Sequence, residues 1–110
     1  MDDKKKNKRR LEFFKALKSL TKLQKRNFIE SCPDSNIHTI CEACHNISEN
    51  YIPAKKTKKF KQYQKHIKKL GKNKLSIKSK RKMLLNDQIG SGVMGILAST
   101  VLPFLASLIA

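Results

Sequence analysis

Five residues that can ligate a metal or act as nucleophile and base fall within fourteen positions: Cys32, His38, Cys41, Cys44 and His45. The run "CEACH" from Cys41 to His45 has the literal spacing of a haem-attachment motif. Haem attachment goes with export. The opening "MDDKKKNKRR" has no apolar stretch of the kind a secretory signal needs, so the cysteines are expected as free thiols in a reducing compartment. Zinc wants a second ligand pair, and one C-x-x-C supplies half a site. Cys41 and Cys44 also recur at helical spacing with Ile37, Ile40, Ile47 and Tyr51. Buried structural thiols are therefore expected, with no metal and no cofactor. Cys44 and His45 are neighbours, so on a helix they point about 100° apart and form no nucleophile–base pair. None of the three histidines is clustered with a nucleophile and an orienting acid. A non-enzymatic protein, without catalytic residues, is the expectation.

The strong chemical signal is charge. The chain has 110 residues, 25 Lys or Arg against 8 Asp or Glu, and a net charge of +17. Residues 1–31 carry +7, residues 32–54 carry −3, residues 55–82 carry +14 with no acid, and residues 83–110 carry −1. Such an excess repels itself in a compact state unless a polyanion offsets it. Nucleic acid, an anionic membrane surface and an acidic protein are the candidate partners. The candidate DNA-binding residues are Lys55, Lys56, Lys58, Lys59, Lys61, Lys65, Lys68, Lys69, Lys72, Lys74, Lys78, Lys80, Arg81 and Lys82, helped by the cluster Lys4 to Arg10, which also resembles a simple nuclear-import signal. Lysine meets phosphate as a point charge and lacks arginine's planar fork for base edges. Binding to the backbone with little sequence choice follows, with a large salt dependence. Phe60 and Tyr63 have the spacing of core residues more than of a base-stacking platform.

The elements that carry these residues read as helices. Leu11, Phe13, Phe14, Leu17 and Leu20 share one side of a first helix. Thr21 with Gln24 is a capping-box pattern that opens a second, running to about Ser31. Pro33 breaks it and suits the first turn of a third, which lacks basic residues and belongs at the domain centre. Pro53 marks another break. Phe60, Tyr63, Ile67 and Leu70 form a narrow stripe amid Lys and Gln, Gly71 is a helix stop, and Ser76 caps a last short helix. The fold class is all-α: a disordered basic arm (1–10), a small helical domain (11–70), a basic linker or short helix (71–89) and an apolar helical tail (90–110). About 60 residues make a marginal core alone, so a charge-neutralising partner is expected to stabilise it.

The tail, "GSGVMGILASTVLPFLASLIA", carries no charge. Ser91 to Ala110 would span about 30 Å as a helix, enough for a bilayer core. It could insert as an anchor, lie in the interface, or fill an apolar groove on another protein. The residues expected to contact membrane or capsid are Ile96, Leu97, Val101, Phe104, Leu105 and Leu108.

The join "KSKRKMLLNDQIGSGVMGILASTVLPFLASLIA" resembles the ends of small virion core proteins of Maverick/Polinton elements and adintoviruses: a basic stretch, a "KRK-L-L" segment, a glycine turn and an apolar "LP" tail. The segment "CEACHNISENYIPAKKTKKFKQYQKHIKKL" resembles the central part of the same proteins. In plan the chain is similar to adenovirus core protein X, the mu precursor. The likeness runs from about Thr21 to Ala110. It implies a protein that packs viral DNA, resides in the virion and host nucleus, and contacts capsid protein. It also implies processing by an adenain-like protease, which favours an apolar residue, any residue, Gly, any residue, then a cut before Gly. Gly90, Ser91 and Gly92 are the candidate protease site, expected as an extended, accessible hinge, with Gln88 standing where Met, Ile or Leu is usual. The rival functions are a membrane-active or tail-anchored basic protein, whose lysines bind anionic lipid, and a host nucleolar or ribosome-associated protein.

Overall fold

The computed structural model describes residues 3–50 and 53–109. Met1, Asp2, Tyr51, Ile52 and Ala110 lie outside it, as do the side chains of Asp3, Pro53, Ala54, Leu108 and Ile109. Tyr51 on the third helix's stripe and the side chain of Leu108 in the tail are thus outside the described residues. The described chain is all-α, with no strand: α1 (Asp3–Ser19), α2 (Lys22–Ser31), α3 (Asp34–Glu49), a 3₁₀ turn (Pro53–Lys56), α4 (Lys58–Gly71), α5 (Ile77–Leu85) and α6 (Asp87–Ile109).

Side-chain caps set most helix starts. The Thr21 hydroxyl accepts from the Gln24 N–H at 3.1 Å, and the Gln24 side chain accepts from the Thr21 N–H at 2.8 Å, the reciprocal box its spacing predicts. Ser76 accepts from the Ser79 N–H at 3.1 Å. Thr57, which the sequence reading passed over, does the same for Phe60 at 3.2 Å. Asn86 accepts from the N–H groups of Gln88 and Ile89 and opens α6. Each such cap contributes about 1 kcal/mol. Pro33 stands one place before the first helical residue of α3, and the Asp34 carboxylate occupies that helix's first turn, where the macrodipole favours it.

The basic N-terminal run, expected as an arm, continues the helix: α1 extends from Asp3 through Lys4 to Arg10. Arg10 forms an ion pair with Glu42 on α3 and a hydrogen bond to Asn7, which ties the run to the fold while Lys4, Lys5, Lys6, Lys8 and Arg9 stay exposed.

One hydrophobic core runs through the molecule. It joins Phe14 and Leu17 of α1, Ile29 of α2, Ile37, Ile40, Cys44 and Ile47 of α3, Phe60, Ile67 and Leu70 of α4, Leu84 of α5, and Val93, Leu97 and Val101 of α6. Phe13 packs edge-on against Phe14 at 5.2 Å and against Phe28 of α2 at 6.0 Å. The divisions expected at residues 71 and 90 therefore do not separate packing units. The apolar segment is no free tail: α6 packs chiefly on α1 and also on α5, α4 and α3. The physical reason is the shortage of core in residues 11–70. A sixty-residue helical domain buries too little surface by itself, and α6 supplies the missing apolar area from within the chain. The radius of gyration is 13.1 Å, matching the roughly 13 Å of a single compact unit of this length.

Candidate nucleic-acid interface

The α4 helix is built with two opposite faces. Phe60, Ile67 and Leu70 are buried and Tyr63 is half-buried. At about 100° per residue, Lys58, Lys61, Lys65, Lys68 and Lys69 fall within an arc of about 100° centred opposite that stripe. All five are exposed. The apolar side anchors the helix, so the lysine side is presented by a fixed scaffold. Lys72 and Lys74 in the following turn, and Lys78 and Lys82 on α5, continue the exposed charge. From Lys58 to Lys72 the axial distance is about 21 Å, a length over which duplex DNA carries roughly twelve phosphates.

Three of the fourteen cations expected to bind DNA have other positions. The Lys55 ammonium donates to the carbonyls of Ser48 and Asn50, both at 3.0 Å, and so closes the C-terminal end of α3. Arg81 donates to the carbonyls of Ile29 and Cys32 at 2.8 Å and to the Asp34 carboxylate at 2.6 Å. It caps α2 and ties α2, α3 and α5 together. The Asp34 hydrogen bond, ahead of the contact with Cys32, holds Arg81 above even its ordinary pKa against some desolvation. Lys80 is 6% exposed. The remaining eleven are exposed.

Three acids, Asp34 and Glu42 of the acidic segment and Asp87 beyond it, serve the fold. Asp34 pairs with Arg81 and Glu42 with Arg10, while Asp87 pairs with Arg26 at 2.8 Å across α6 and α2. These pairings lie between helices, away from the outer face of α4, which carries no acid of its own and has Glu49 of α3 at its border beside Lys68 and Lys72.

The tail residues expected to contact membrane or capsid are mostly enclosed. Ile96, Leu97, Val101 and Leu105 are buried in the core, and Phe104 is 42% exposed. By length and composition α6 could cross a membrane, with mean hydropathy 1.8 over Asp87–Ser107, yet 56% of its apolar window is buried inside the fold. Pro103 lies within the helix. It removes one ladder bond, to the carbonyl of Ser99, and Ser99 is exposed.

Gly90, Ser91 and Gly92 are helical, not an extended hinge. Gly90 and Gly92 are buried, and neighbours stand where side chains would begin. A Cβ on Gly90 would run into the backbone of Leu84, and one on Gly92 would enter the Tyr63 ring. Close crossing of α6 with α5 and α4 needs glycine at both places.

Cys32, Cys41 and Cys44 are free and buried. Burial pushes the Cys44 thiol far above its usual range, with Cys41 adding to the shift and Lys80 opposing it. Cys41 is raised for the same first reason, again opposed by Lys80. These thiols are poor nucleophiles. His38 and His45 are seven residues apart, two turns along α3. Among the described residues no three His, Cys, Asp or Glu side chains converge as metal ligands would. No family model, no curated protein and no solved structure matches this chain.

Proposed function

We propose that this protein binds DNA through its phosphate backbone, without sequence choice, and condenses it. The observation that carries the reading is the outer face of α4: five exposed lysines, no acid, and a buried stripe behind them that holds the face in place. Density of one sign attracts a polyanion, and lysine point charges without a base-reading arginine fork favour phosphate over base edges. The likeness to Maverick/Polinton and adintovirus core proteins supplies the setting, a virion core assembled in the host nucleus. There the one apolar contact offered to capsid protein from α6, among the described residues, is the region of Phe104, since the other expected contacts serve the core.

The test is fluorescence anisotropy of the full chain, because α6 completes its core, on duplexes of unrelated sequence. Their affinities agree at a fixed salt concentration. The logarithm of the binding constant falls linearly with the logarithm of salt, with a slope reporting on the order of ten phosphates. A strong preference for one sequence at fixed salt refutes the proposal. Intact-mass analysis of purified particles tests the virion setting separately.

One observation favours a second reading: α6 is apolar and long enough to span a bilayer. A membrane-active protein would have to release that helix from the core first. Liposome pelleting by the folded chain at neutral pH, with dye leakage and loss of core packing together, would support that reading over DNA binding.

A further inference from the structure

Lys80 stands on the apolar side of α5, in register with Ile77 and Leu84. It is the most enclosed of the cations described here, at 6% exposure. Its stem is covered by the core, as lysine stems often are. Its head lines a half-open cleft of about 320 Å³, bounded on one side by His38, Cys41, Glu42 and His45 of α3 and on the other by Gly71, Asn73 and Lys80 itself.

The contrast with the paired arginines is what carries weight. Arg10, Arg26 and Arg81 each meet a carboxylate. Lys80 is more enclosed than any of them, and among the described residues no carboxylate pairs with it. The one acid that lines its cleft, Glu42, is held by Arg10. The ammonium opens into the water-filled cleft while its stem is buried, so an anion entering there meets a cation fixed in place that no carboxylate neutralises. The other polar groups around it, two imidazoles and the Asn73 amide, can donate hydrogen bonds to oxygen. The ammonium works against a cation in the same place. Gly71 keeps the two walls close, since a Cβ there would stand 2.7 Å from the His45 backbone.

We propose that this cleft between α3 and the α4–α5 junction binds a phosphate group, with Lys80 as its anchor. The shared chemistry is a tetrahedral oxyanion, supplied by a nucleic-acid backbone or by free phosphate. The backbone source rests on the DNA-binding reading above, and the site itself does not. Exposed Lys72 and Lys74 lie in the turn that forms the cleft's edge, so a strand following the outer lysines of α4 passes its mouth. Lys80 then fixes one phosphate at a defined point, where the exposed lysines fix none.

The test is NMR of the uniformly labelled full chain, titrated with inorganic phosphate and, separately, with a short DNA duplex. Saturable phosphate shifts at Lys80, His38, His45 and Asn73 are expected. Lys80→Met, which keeps the buried stem, weakens phosphate binding roughly tenfold or more, while Lys65→Met on the open face changes it less than about twofold. With DNA, Lys80→Met lowers the salt slope by about 0.9. If phosphate saturates the site and DNA also shifts Lys80, the backbone is the source. If phosphate saturates it and DNA leaves Lys80 unmoved, the site stands with free phosphate as its ligand. Saturable phosphate with no DNA binding at all overturns the DNA reading and keeps the site. Unsaturable shifts spread over all lysines of the wild-type chain overturn the site, whatever the variants' stability.

Discussion

Leu97→Ala decides whether the apolar C-terminal helix is core or free surface. Leu97 lies in the middle of α6 and is 1% exposed. Truncation there removes three side-chain carbons, one methine and two methyls, from a packed interior and leaves a cavity that the surrounding helices fill only in part. Buried Leu→Ala changes of this kind cost roughly 2.7–5 kcal/mol. A chain of 110 residues has a total stability of about 5–16 kcal/mol at typical values per residue, so a large share is lost. With about 4 °C of melting temperature per kcal/mol at this size, the midpoint falls roughly 10–20 °C. Leu23→Ala is the control. Leu23 is 66% exposed, and its loss shifts stability by no more than about 0.5 kcal/mol. The assay is thermal and urea unfolding followed by far-UV circular dichroism at fixed salt. An unchanged midpoint for Leu97→Ala, equal to that of Leu23→Ala, refutes the placement of α6 in the core and restores a free tail.

Arg81→Met lowers the melting midpoint, because three backbone or carboxylate partners lose their donor, yet leaves the salt slope of DNA binding unchanged; a reduced slope returns Arg81 to the DNA surface. Cys41 and Cys44 resist alkylation by iodoacetamide in the folded chain at pH 8 and react on unfolding, with rapid native labelling as the contrary result. Their raised pKa values mean that the unfolded thiols ionise first. Stability from this source is complete below the unfolded thiol range, near 8.5, and declines as pH rises above it, which urea midpoints at pH 7 and pH 10 measure. Gly90→Ala destabilises the fold by driving a methyl into the Leu84 backbone, with or without a protease present. A midpoint equal to wild type shows that α5 and α6 do not cross there. If an adenain-like protease cuts between Ser91 and Gly92, it does so faster in mild urea than in buffer, because the bond lies within α6; equal rates place it in an open segment.

Much of this architecture is legible in the residues. Thr21 with Gln24 and the stripe of Phe60, Ile67 and Leu70 announce their helices, because a cap and a 3.6-residue period are local properties. The burial of Cys41 and Cys44 follows from the same period. The place of α6 was not legible, since a segment apolar on nearly every side has no face to say what it packs against. A bilayer, a partner's groove and its own core all satisfy it. Gly90 and Gly92 matched a protease pattern because small residues serve a cleft and a helix crossing equally well. Arg81 looked like its lysine neighbours until Asp34, Ile29 and Cys32 were brought to it from far along the chain. Lys80 did carry a signal: it sits three residues after Ile77 and four before Leu84, on the side of α5 that must be buried. Charge composition concealed it among thirteen others.

The pairing of three acids with arginines shows how a chain of net charge +17 can fold while leaving its outer lysines exposed. Asp34, Glu42 and Asp87 are each joined to an arginine on another helix. Those pairs are partly exposed and individually contribute little, but their positions matter more than their energies. Each sits where two helices meet, so these three acids are held away from the outer lysines. Arginine, with its planar fork, takes the internal pairings, and lysine takes the surface. The lysines of the outer face outnumber Glu49, which borders them, so rearranging nearby side chains cannot neutralise the face. Its repulsion is relieved by counterions or by a polyanion, and a bound polyanion that prefers the folded state stabilises it by mass action. In the binding proposed above, folding and polyanion binding would be coupled through the same lysines, while the apolar work of holding them in place falls to α6 and the stripe beneath α4.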